Sequence, residues 1–434
     1  MNIAQSFEKF YDNLAIQNTA DISARYKRIT KTLNKKYYDS EAEDLHSLQV
    51  GSYGRGTAIS ETSDLDMIYI LPPEVFSRFS SYASNGQSAL LQEVKNEILK
   101  TYSQTDVGAD GQVVVVDLKD MKIEVVPAFE NDDGSFDFPD SNDEGSWKTT
   151  NPRPEITAIT ELNAKRGENL KPLAKMVRAW RNNSGAPISG LLIDTMAYNF
   201  LLDNEDFNQN TFSNYHFLVK DFFKFLAEQN TDRSYWYAPG SNQKVYRKGG
   251  VVAKAKKAYN LVLEAIQKSD NETVWEIWKK VFGRNFPSSN SLTKSASYSE
   301  SSTSSSEEFI EDHFPIDIRN NLHIDCEISQ DGFLKRSLRE FLGKHIPLLQ
   351  NRKLRFFVSE CDVRPPFQVK WKVRNVGPEA EKRNQLRGQI LKDHGGKEQK
   401  ETTNFYGPHF VECYVIKDGV CVARDMIDVP IEYY

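Results

Sequence analysis

A glycine-rich turn followed by a strand with two aspartates constrains the fold of this chain more than any other feature. The turn is Gly51-Ser52-Tyr53-Gly54-Arg55-Gly56-Thr57, and it follows a short, strand-like apolar run at residues 48–50. Glycines let the backbone turn sharply, so that its amide groups can face an anionic phosphate. The strand opens with Asp64-Leu65-Asp66, and strand alternation places both carboxylates on one side. Adjacent carboxylates predict a divalent cation, and the whole motif favours nucleotidyl transfer.

A predicted β-hairpin supplies a third carboxylate, which a two-metal site usually needs. Residues 113–127 read as two strands, with Asp117 and Asp120 at the turn. Glu124 is the only acid inside the second strand, where apolar neighbours on both sides disfavour a solvated surface position. We therefore predict Asp64, Asp66 and Glu124 as catalytic metal ligands. The structural alternative is a short polar edge strand after a glycine-rich turn.

These motifs resemble the DNA polymerase β-like nucleotidyltransferases, and within them the bacterial relatives of cyclic GMP-AMP synthase, the CD-NTases. The similarity lies in the glycine turn, in Asp64-Leu65-Asp66, and in residues 123–129 around Glu124. The family more often has aspartate at the third position, so Glu124 departs from its pattern. The resemblance implies two Mg²⁺ ions about 4 Å apart, for which Mn²⁺ can substitute. One ion would activate a hydroxyl, and the other would stabilise the pyrophosphate leaving group.

A later segment predicts a helix with one apolar and one basic face. Four apolar residues recur at helical spacing and predict the core-facing side: Leu173, Met176, Val177 and Trp180. Three basic residues share the other side: Lys171, Lys175 and Arg178. Such a stripe suits either a solvated surface or a contact with a triphosphate.

The family resemblance selects two phosphate contacts from this region. It implies that Lys175 and a serine opening the next helix, Ser189, contact the terminal phosphates of a nucleotide. Together with residues of the glycine turn, they complete the predicted nucleotide-binding set: Gly51, Ser52, Arg55, Lys175 and Ser189.

Length and composition predict two domains of α+β class. A chain of 434 residues exceeds what one hydrophobic core usually supports, and its hydrophobic content of 39% is enough for large cores. We predict a catalytic unit over 1–287, with a strand core over about 45–130 and a helical lobe over about 155–287. The resemblance identifies this unit as a polymerase β-like core. A serine-rich linker would span 288–308, before a mostly β domain over 309–434.

The C-terminal domain reads as a β-sandwich. Short strands are predicted at residues 322–328, 354–358, 367–373, 410–416 and 420–429. Lys417-Asp418-Gly419 supplies a hairpin turn between the last two. Residues 371–377 and 406–409 resemble the sensor domain at the C-terminus of some bacterial adenylyl and guanylyl transferases. That resemblance implies a phage-defence operon, often with a neighbouring gene for a small membrane effector.

All four cysteines lie in this second domain, and we predict that they are free thiols. His323 and Cys326 are three residues apart, so they point to opposite faces of a strand, and no Cys-x-x-Cys is present. His409 also lies near Cys413, but without a Cys-x-x-Cys we favour buried free thiols over a metal site there as well. Reducing cytosolic conditions argue against disulfides that would involve Cys361 or Cys421.

Charge and hydropathy limit the partners of this chain. No signal peptide opens it and no apolar run is long enough to cross a bilayer, so we expect a cytoplasmic protein without membrane insertion. A net charge of -6 argues against a dedicated binder of long duplex nucleic acid. Nucleoside triphosphates are the expected partners.

The chain is therefore interpreted as a metal-dependent nucleotidyltransferase that builds an oligonucleotide signal in phage defence, with adenine as the expected base. The product could be cyclic, or linear and built from ribo- or deoxynucleotides. Tyr433 and Tyr434 end the chain, and their hydroxyls either prime a linear product or merely finish a strand. Two alternatives are a protein-modifying adenylyltransferase of a toxin and antitoxin pair, and a sensor that binds nucleotide without turnover.

Overall fold

Two compact units make up the chain. The computed structural model describes residues 2–60, 64–208, 212–268, 274–288, 307–329, 336–344, 346, 348–375, 378–383, 385–393 and 395–431. The first unit comprises Met1–Asn18, Arg28–Glu41 and Leu48–Ser302, and the second Thr19–Lys27, Ala42–Ser47 and Thr303–Tyr434. Most of the predicted serine-rich linker, residues 289–306, lies outside the described residues, as do Tyr433 and Tyr434.

Helices flank a mixed sheet before residue 288, which confirms the α+β prediction. The helices in chain order are α1 (Ile3–Asn13), α2 (Thr19–Tyr37), α3 (Gly51–Gly54), α4 (Pro73–Ser80), α5 (Gly86–Thr101), α6 (Pro152–Lys165), α7 (Leu170–Ser184), α8 (Gly190–Leu202), α9 (Tyr215–Ala227), α10 (Val251–Gln267) and α11 (Val274–Phe282). The strands are β1 (Ser47–Gln49), β2 (Leu65–Ile70), β3 (Asp106–Asp110), β4 (Val113–Asp117), β5 (Lys122–Glu130), β6 (Phe136–Asp140), β7 (Ser146–Thr150), β8 (Tyr235–Tyr237) and β9 (Lys244–Tyr246).

The central sheet has the strand order β1-β2-β5-β4-β3, and β6 and β7 extend from β5. Strands β4 and β5 form the antiparallel hairpin that the sequence predicted, with Asp117 opposite Lys122 at its closed end. Strand β2 lies parallel to β5, although the two are separated by α4, α5 and two strands. A parallel pair needs such a long crossover. The crossover brings the two carboxylate-bearing strands side by side.

The helical lobe is built around the apolar face of α7. All four predicted core residues are buried: Leu173, Met176, Val177 and Trp180. Arg178 corrects the expectation of a solvated basic stripe, because its side chain is also buried and is held by an acidic partner described below. The two tryptophans of α11 also pack in this lobe. Trp278 is buried and meets Phe7 edge to face at 5.0 Å, while Trp275 is partly buried against the same core.

Two four-stranded antiparallel sheets form most of the second unit. Their orders are β11-β10-β12-β15 and β14-β13-β16-β17. Its elements after residue 307 are α12 (Ile310–His313), β10 (Leu322–Ser329), β11 (Arg336–Ser337), α13 (Leu338–Gly343), β12 (Lys353–Cys361), β13 (Gln368–Arg374), α14 (Pro378–Lys382), β14 (Ile390–Lys392), β15 (Glu398–Thr402), β16 (Gly407–Lys417) and β17 (Val420–Ile431). All five predicted strands are present. Strand β15 was missed because its residues are polar and show no alternation.

Short N-terminal segments also belong to the second unit, which the sequence did not anticipate. Within that unit Ser23 donates a hydrogen bond of 2.9 Å to the Glu311 carboxylate, and Tyr26 donates one of 2.8 Å to Ser47. Leu45 forms a parallel bridge with Ile318. These contacts join residues that are distant along the chain and follow no local period, so no sequence pattern announces them.

All four cysteines are free, as predicted. Burial raises the pKa of the Cys326 and Cys421 thiols well above the ordinary range, which keeps them protonated. Among the helices that the structure describes, none has both the length and the hydrophobicity needed to cross a membrane.

Candidate active site

The glycine turn packs directly against the side chain of Asp66, on strand β2 of the central sheet. Gly51 begins the one-turn helix α3 with a φ of +61°, a left-handed conformation that favours glycine. A Cβ at Gly51 would overlap the carboxylate of Asp66. The amide of Val50 also donates a hydrogen bond of 2.9 Å to the carbonyl of Asp66. Turn and strand are therefore fitted to each other at this point, and only glycine satisfies both the backbone angle and the space.

Two of the three predicted carboxylates face each other across neighbouring strands. Asp66 on β2 and Glu124 on β5 are direct partners in the parallel register. A side-chain hydrogen bond between the two raises the pKa of Asp66 and lowers that of Glu124. Asp64 immediately precedes β2 and is exposed. The sheet thus fixes the positions of Asp66 and Glu124, and Asp64 lies just before the first residue of β2.

These carboxylates have raised pKa values because lost hydration and neighbouring negative charge outweigh the nearby positive charge. Burial raises the pKa of Asp66 to about 7, and the charge on Glu124 adds to the effect while Arg55 opposes it. Burial also raises the pKa of Glu124, with a further contribution from the charge on Asp64. Although the Asp64 residue is exposed as a whole, partial loss of hydration at its carboxylate raises its pKa, and Asp117 adds to this while Lys122 opposes it. The cluster therefore holds protons that a cation would displace.

The donor chemistry of this cluster fits a divalent cation. Carboxylate oxygens are hard ligands, and Mg²⁺ is usually held by one or two of them together with substrate phosphates. Over the described part of the chain, no three His, Cys, Asp or Glu side chains are grouped tightly enough to hold a metal ion as they stand. Asp66 and Glu124 supply a fixed pair, and repulsion between unneutralised carboxylates opposes tighter grouping of all three.

A second charge cluster lies behind the glycine turn and is balanced. Asp194 on α8 is fully buried and accepts hydrogen bonds from Arg55 Nε at 2.8 Å and Arg178 Nη1 at 2.6 Å. Thr57 Oγ1 donates to the same carboxylate at 3.1 Å, and Glu155 pairs with Arg55 at 3.4 Å. Burial alone would raise the pKa of Asp194, but Arg178 and Arg55 outweigh it and lower the pKa. This cluster ties the glycine turn to α6, α7 and α8.

One predicted nucleotide contact belongs to the balanced cluster. Arg55 was expected to contact nucleotide, and its side chain is buried and paired with Asp194 and Glu155. These ion pairs hold Arg55 against α6 and α8, and its charge opposes the rise in the pKa of Asp66. Its contact with nucleotide stays a prediction.

The other predicted nucleotide-binding residues lie in and near the same turn. Ser52 is inside α3, and its carbonyl accepts hydrogen bonds from the amides of Thr57 and Ala58 at 2.8 and 3.1 Å. Ser189 is the N-cap of α8, where its hydroxyl accepts from the Leu192 amide at 3.3 Å. A hydroxyl that accepts one hydrogen bond retains its own proton for donation to a ligand.

Two lysines of α7 have different surroundings. The ammonium of Lys175, the predicted phosphate contact, lies 5.2 Å from the centroid of the Tyr11 ring. Lys171 lies beside Gly56, where a Cβ would stand 3.2 Å from its Nζ, and burial lowers its pKa. Among the described residues the Lys171 ammonium makes no hydrogen bond or ion pair. The sequence placed Lys171 in the basic stripe without assigning it a role, and its packing against the turn could not be read from helical spacing.

Two domain families match the chain. Residues 1–163 match the "Second Messenger Oligonucleotide or Dinucleotide Synthetase domain", abbreviated SMODS. Residues 304–432 match the "Adenylyl/Guanylyl and SMODS C-terminal sensor domain", abbreviated AGS-C. The first match covers the glycine turn and all three predicted carboxylates, and the second covers both sheets of the C-terminal region.

Individual relatives agree with these domain families. The chain is 24% identical over 291 residues to the cyclic AMP-AMP-AMP synthase of an Acinetobacter strain. This match covers 62% of this chain and 80% of the relative. It is 24% identical over 332 residues to a probable cyclic nucleotide synthase of Bacillus cereus. This match covers 64% of this chain and 97% of the relative. The structure of Escherichia coli CdnC with ATP aligns with a TM-score of 0.51 at 14% identity, over 66% of this chain and 99% of CdnC. This structural likeness concerns the fold.

Proposed function

Because the chain belongs to the CD-NTase family, with a SMODS domain followed by an AGS-C domain, we propose that it is a metal-dependent enzyme that joins nucleoside triphosphates into an oligonucleotide second messenger. Nucleotidyltransferase activity and second messengers made from nucleoside triphosphates characterise this family, whose members generally depend on divalent metal. The observation that supports the proposal most directly is the fit of Gly51 against Asp66, which lies in register with Glu124.

In the proposed reaction, a hydroxyl oxygen attacks the α-phosphorus of a nucleoside triphosphate. A phosphodiester bond forms, the bond to the β-phosphate oxygen breaks, and pyrophosphate leaves as the hydroxyl gives up its proton. The amides of Gly51 and Ser52 would bind phosphate oxygens, since turn amides form an anion site. Asp64, Asp66 and Glu124 would hold Mg²⁺, either one ion or two, or Mn²⁺ in its place. When bound, the metal lowers the pKa of the hydroxyl and neutralises phosphate charge.

Three further side chains are proposed as contacts to the terminal phosphates. Lys171 is supported by its position beside Gly56 and by its lack of an ion-pair partner among the residues that the structure describes. Ser189 is supported by its remaining hydroxyl proton at the start of α8. Lys175 rests on the family resemblance alone. A buried ammonium close to the glycine turn would be stabilised by a phosphate, because the phosphate offsets its lost hydration.

The nature of the product is proposed from the relatives. A curated relative makes cyclic AMP-AMP-AMP, which favours adenine nucleotides here as well. The product would be a cyclic oligonucleotide or a linear oligoadenylate or oligodeoxyadenylate. For a linear product, the phenol of Tyr434 or Tyr433 would serve as primer, so that the first nucleotide is joined to the protein. Deleting both tyrosines would then abolish initiation, and unchanged initiation would refute priming.

The biological role is proposed as bacterial defence against phage, through a membrane effector encoded in the same operon. The support is the combination of SMODS and AGS-C domains. Cells that carry the operon should resist phage, and cells with Asp66→Asn should not. Equal resistance in both strains would contradict a defence role for the catalytic reaction.

Labelled substrates test the proposed activity and separate its possible products. Purified protein is incubated with each labelled ribo- or deoxynucleoside triphosphate and Mg²⁺ or Mn²⁺, then treated with phosphatase and resolved with and without protease. A ladder that shifts on proteolysis would identify a protein-primed polymer, and a small phosphatase-resistant product would identify a cyclic one. Label on a separate protein would favour the protein-modifying alternative. Metal-dependent binding without pyrophosphate release would favour a nonenzymatic sensor.

A further inference from the structure

A cavity lies between the two sheets of the second unit, far along the chain from the catalytic residues. Its volume is about 330 Å³, at the lower end of the range for small-ligand sites. Strands of both sheets line it, since Leu354 and Phe356 belong to β12, while Val373 and Val411 belong to β13 and β16. These four side chains are buried, and they give the cavity an apolar wall.

Aromatic rings and amides give the cavity the chemistry of a site for a planar molecule. Phe405 is buried and meets His409 edge to face at 5.0 Å. His409 Nε2 donates to the Phe405 carbonyl at 3.3 Å, and burial lowers the pKa of His409, which leaves its ring neutral. Gln385 and Asn404 are exposed at the rim, and among the described residues their side-chain amides have no hydrogen-bond partner. Each amide offers both donors and an acceptor.

The charges at the cavity cancel. Its charged lining residues are Arg387 and Glu401, and Arg387 Nη1 donates to Glu401 at 2.8 Å. The second oxygen of Glu401 accepts from Gln399 at 2.6 Å. The Arg387 backbone is fixed as well, because its carbonyl accepts from the Asn375 amide at 3.2 Å. Among the described residues that line the cavity, the cation Arg387 is already paired, so the lining favours an uncharged ligand.

We propose that this cavity binds an uncharged nucleobase, presented either by a free nucleoside or by a nucleotide residue of a single strand. A base has apolar faces that suit a cavity lined by phenylalanine and aliphatic side chains. Its edge carries donors and acceptors in one plane, which Gln385 and Asn404 match at the rim. The assigned site is separate from the metal-dependent site, and the proposal extends beyond the catalytic function.

Calorimetry on the full chain in EDTA tests this proposal without requiring turnover. Asp64→Asn/Asp66→Asn protein is titrated with adenosine, guanosine, cytidine and thymidine, which minimises binding at the catalytic centre. At least one nucleoside should bind, and Gln385→Ala/Asn404→Ala should weaken its binding about 10-fold or more. Gln368→Ala removes an exposed amide outside the cavity and should leave the affinity unchanged.

Two further arms sharpen the outcome. A short single strand of the preferred base that binds more tightly than the nucleoside, and loses affinity in the rim variant, would identify a strand as the source of the base. ATP should bind no more tightly than adenosine, because Arg387, the cation among the described lining residues, is already paired with Glu401. The proposal is overturned if no nucleoside binds, if the rim variant binds as well as the parent, or if the triphosphate is preferred.

Discussion

Asp66 and Asp194 are both aspartates next to Arg55, and they differ in what neutralises them. Asp194 is fully buried, has two arginine partners and keeps a lowered pKa. Asp66 is partly buried and faces Glu124, and its pKa rises to about 7. Removing charge from water is costly unless it is paired. The balanced cluster around Asp194 therefore stabilises the fold. The unbalanced cluster of Asp66 and Glu124 lacks enough positive charge, which a metal ion bound with nucleotide would supply.

The largest expected effect is the loss of catalysis on neutralising the unbalanced cluster. Asp66→Asn should lower the rate of nucleotide transfer about 10⁴-fold, since it removes a proposed metal ligand and charge stabilisation worth several kcal/mol. The fold should remain intact, because the substitution also removes like-charge repulsion. Initial rates of pyrophosphate release give the measurement. Asp117→Asn, which changes a nearby acid at the hairpin turn, is the matched control and should retain most activity.

The balanced cluster should respond in the opposite way. Asp194→Ala leaves Arg55 and Arg178 buried without their shared carboxylate, which should cost about 3–5 kcal/mol of the free energy of unfolding. Urea denaturation measures this loss. Thr57→Val removes only a neutral donor to the same carboxylate and should cost about 1 kcal/mol. A stable Asp194→Ala protein that had lost only activity would break the distinction between the two clusters.

Gly51 connects the two clusters through the turn, and its substitution tests their fit. Gly51→Ala places a methyl group on the Asp66 carboxylate and strains a positive φ, so activity should fall about 100-fold. The comparison is Gly108→Ala, because nothing lies near a Cβ at that position and its backbone requires no left-handed angle. Equal activities in the two variants would show that the close packing at Gly51 does not position the carboxylate.

Lys171 and Lys175 provide a smaller test, which sets structural placement against family resemblance. Lys171→Ala should raise the KM for nucleoside triphosphate about 10-fold while kcat changes little, as expected for lost ground-state binding to phosphate. Lys175→Ala should have the weaker effect, because its ammonium is directed to the Tyr11 ring. Steady-state kinetics with both variants decides between them. A larger KM increase for Lys175→Ala would instead support Lys175 as the phosphate contact, as the family resemblance implies.

Local pattern was enough to predict strand β2, the hairpin of β4 and β5, and the apolar face of α7, because each follows a short period along the chain. The sequence predicted that Asp66 and Glu124 would share a metal site, but it did not predict how they would meet. They are neighbours because β2 and β5 pair in parallel with these two residues in register. The pairing of Arg55 with Asp194 was not predicted, for a physical reason. Its partner Asp194 is 139 residues away, and an arginine beside a glycine turn has the same sequence pattern whether it meets phosphate or aspartate.

The AGS-C unit shows the same limit. Its five apolar strands were predicted, whereas β15 and the N-terminal segments that join the unit depend on polar contacts between distant residues. Burial of Arg178 was likewise hidden by its place in a basic stripe. Side chains whose role depends on one distant partner cannot be assigned by periodicity, and these include most of the residues that position the active site.

Stability measured against pH and Mg²⁺ tests the central claim most directly. The Asp66 pKa is about 7 in the folded state and near 3.8 in the unfolded chain. Between these two pH values the folded chain therefore binds more protons at Asp66 than the unfolded chain does. Without metal, the contribution of Asp66 to the free energy of unfolding should therefore fall as pH rises from about 4 to 7, and the parent chain should lose more stability over this range than Asp66→Asn. At pH 7.5, millimolar Mg²⁺ should restore about 1 kcal/mol to the parent chain and almost nothing to Asp66→Asn. Equal stabilisation of both proteins by Mg²⁺ would contradict the account.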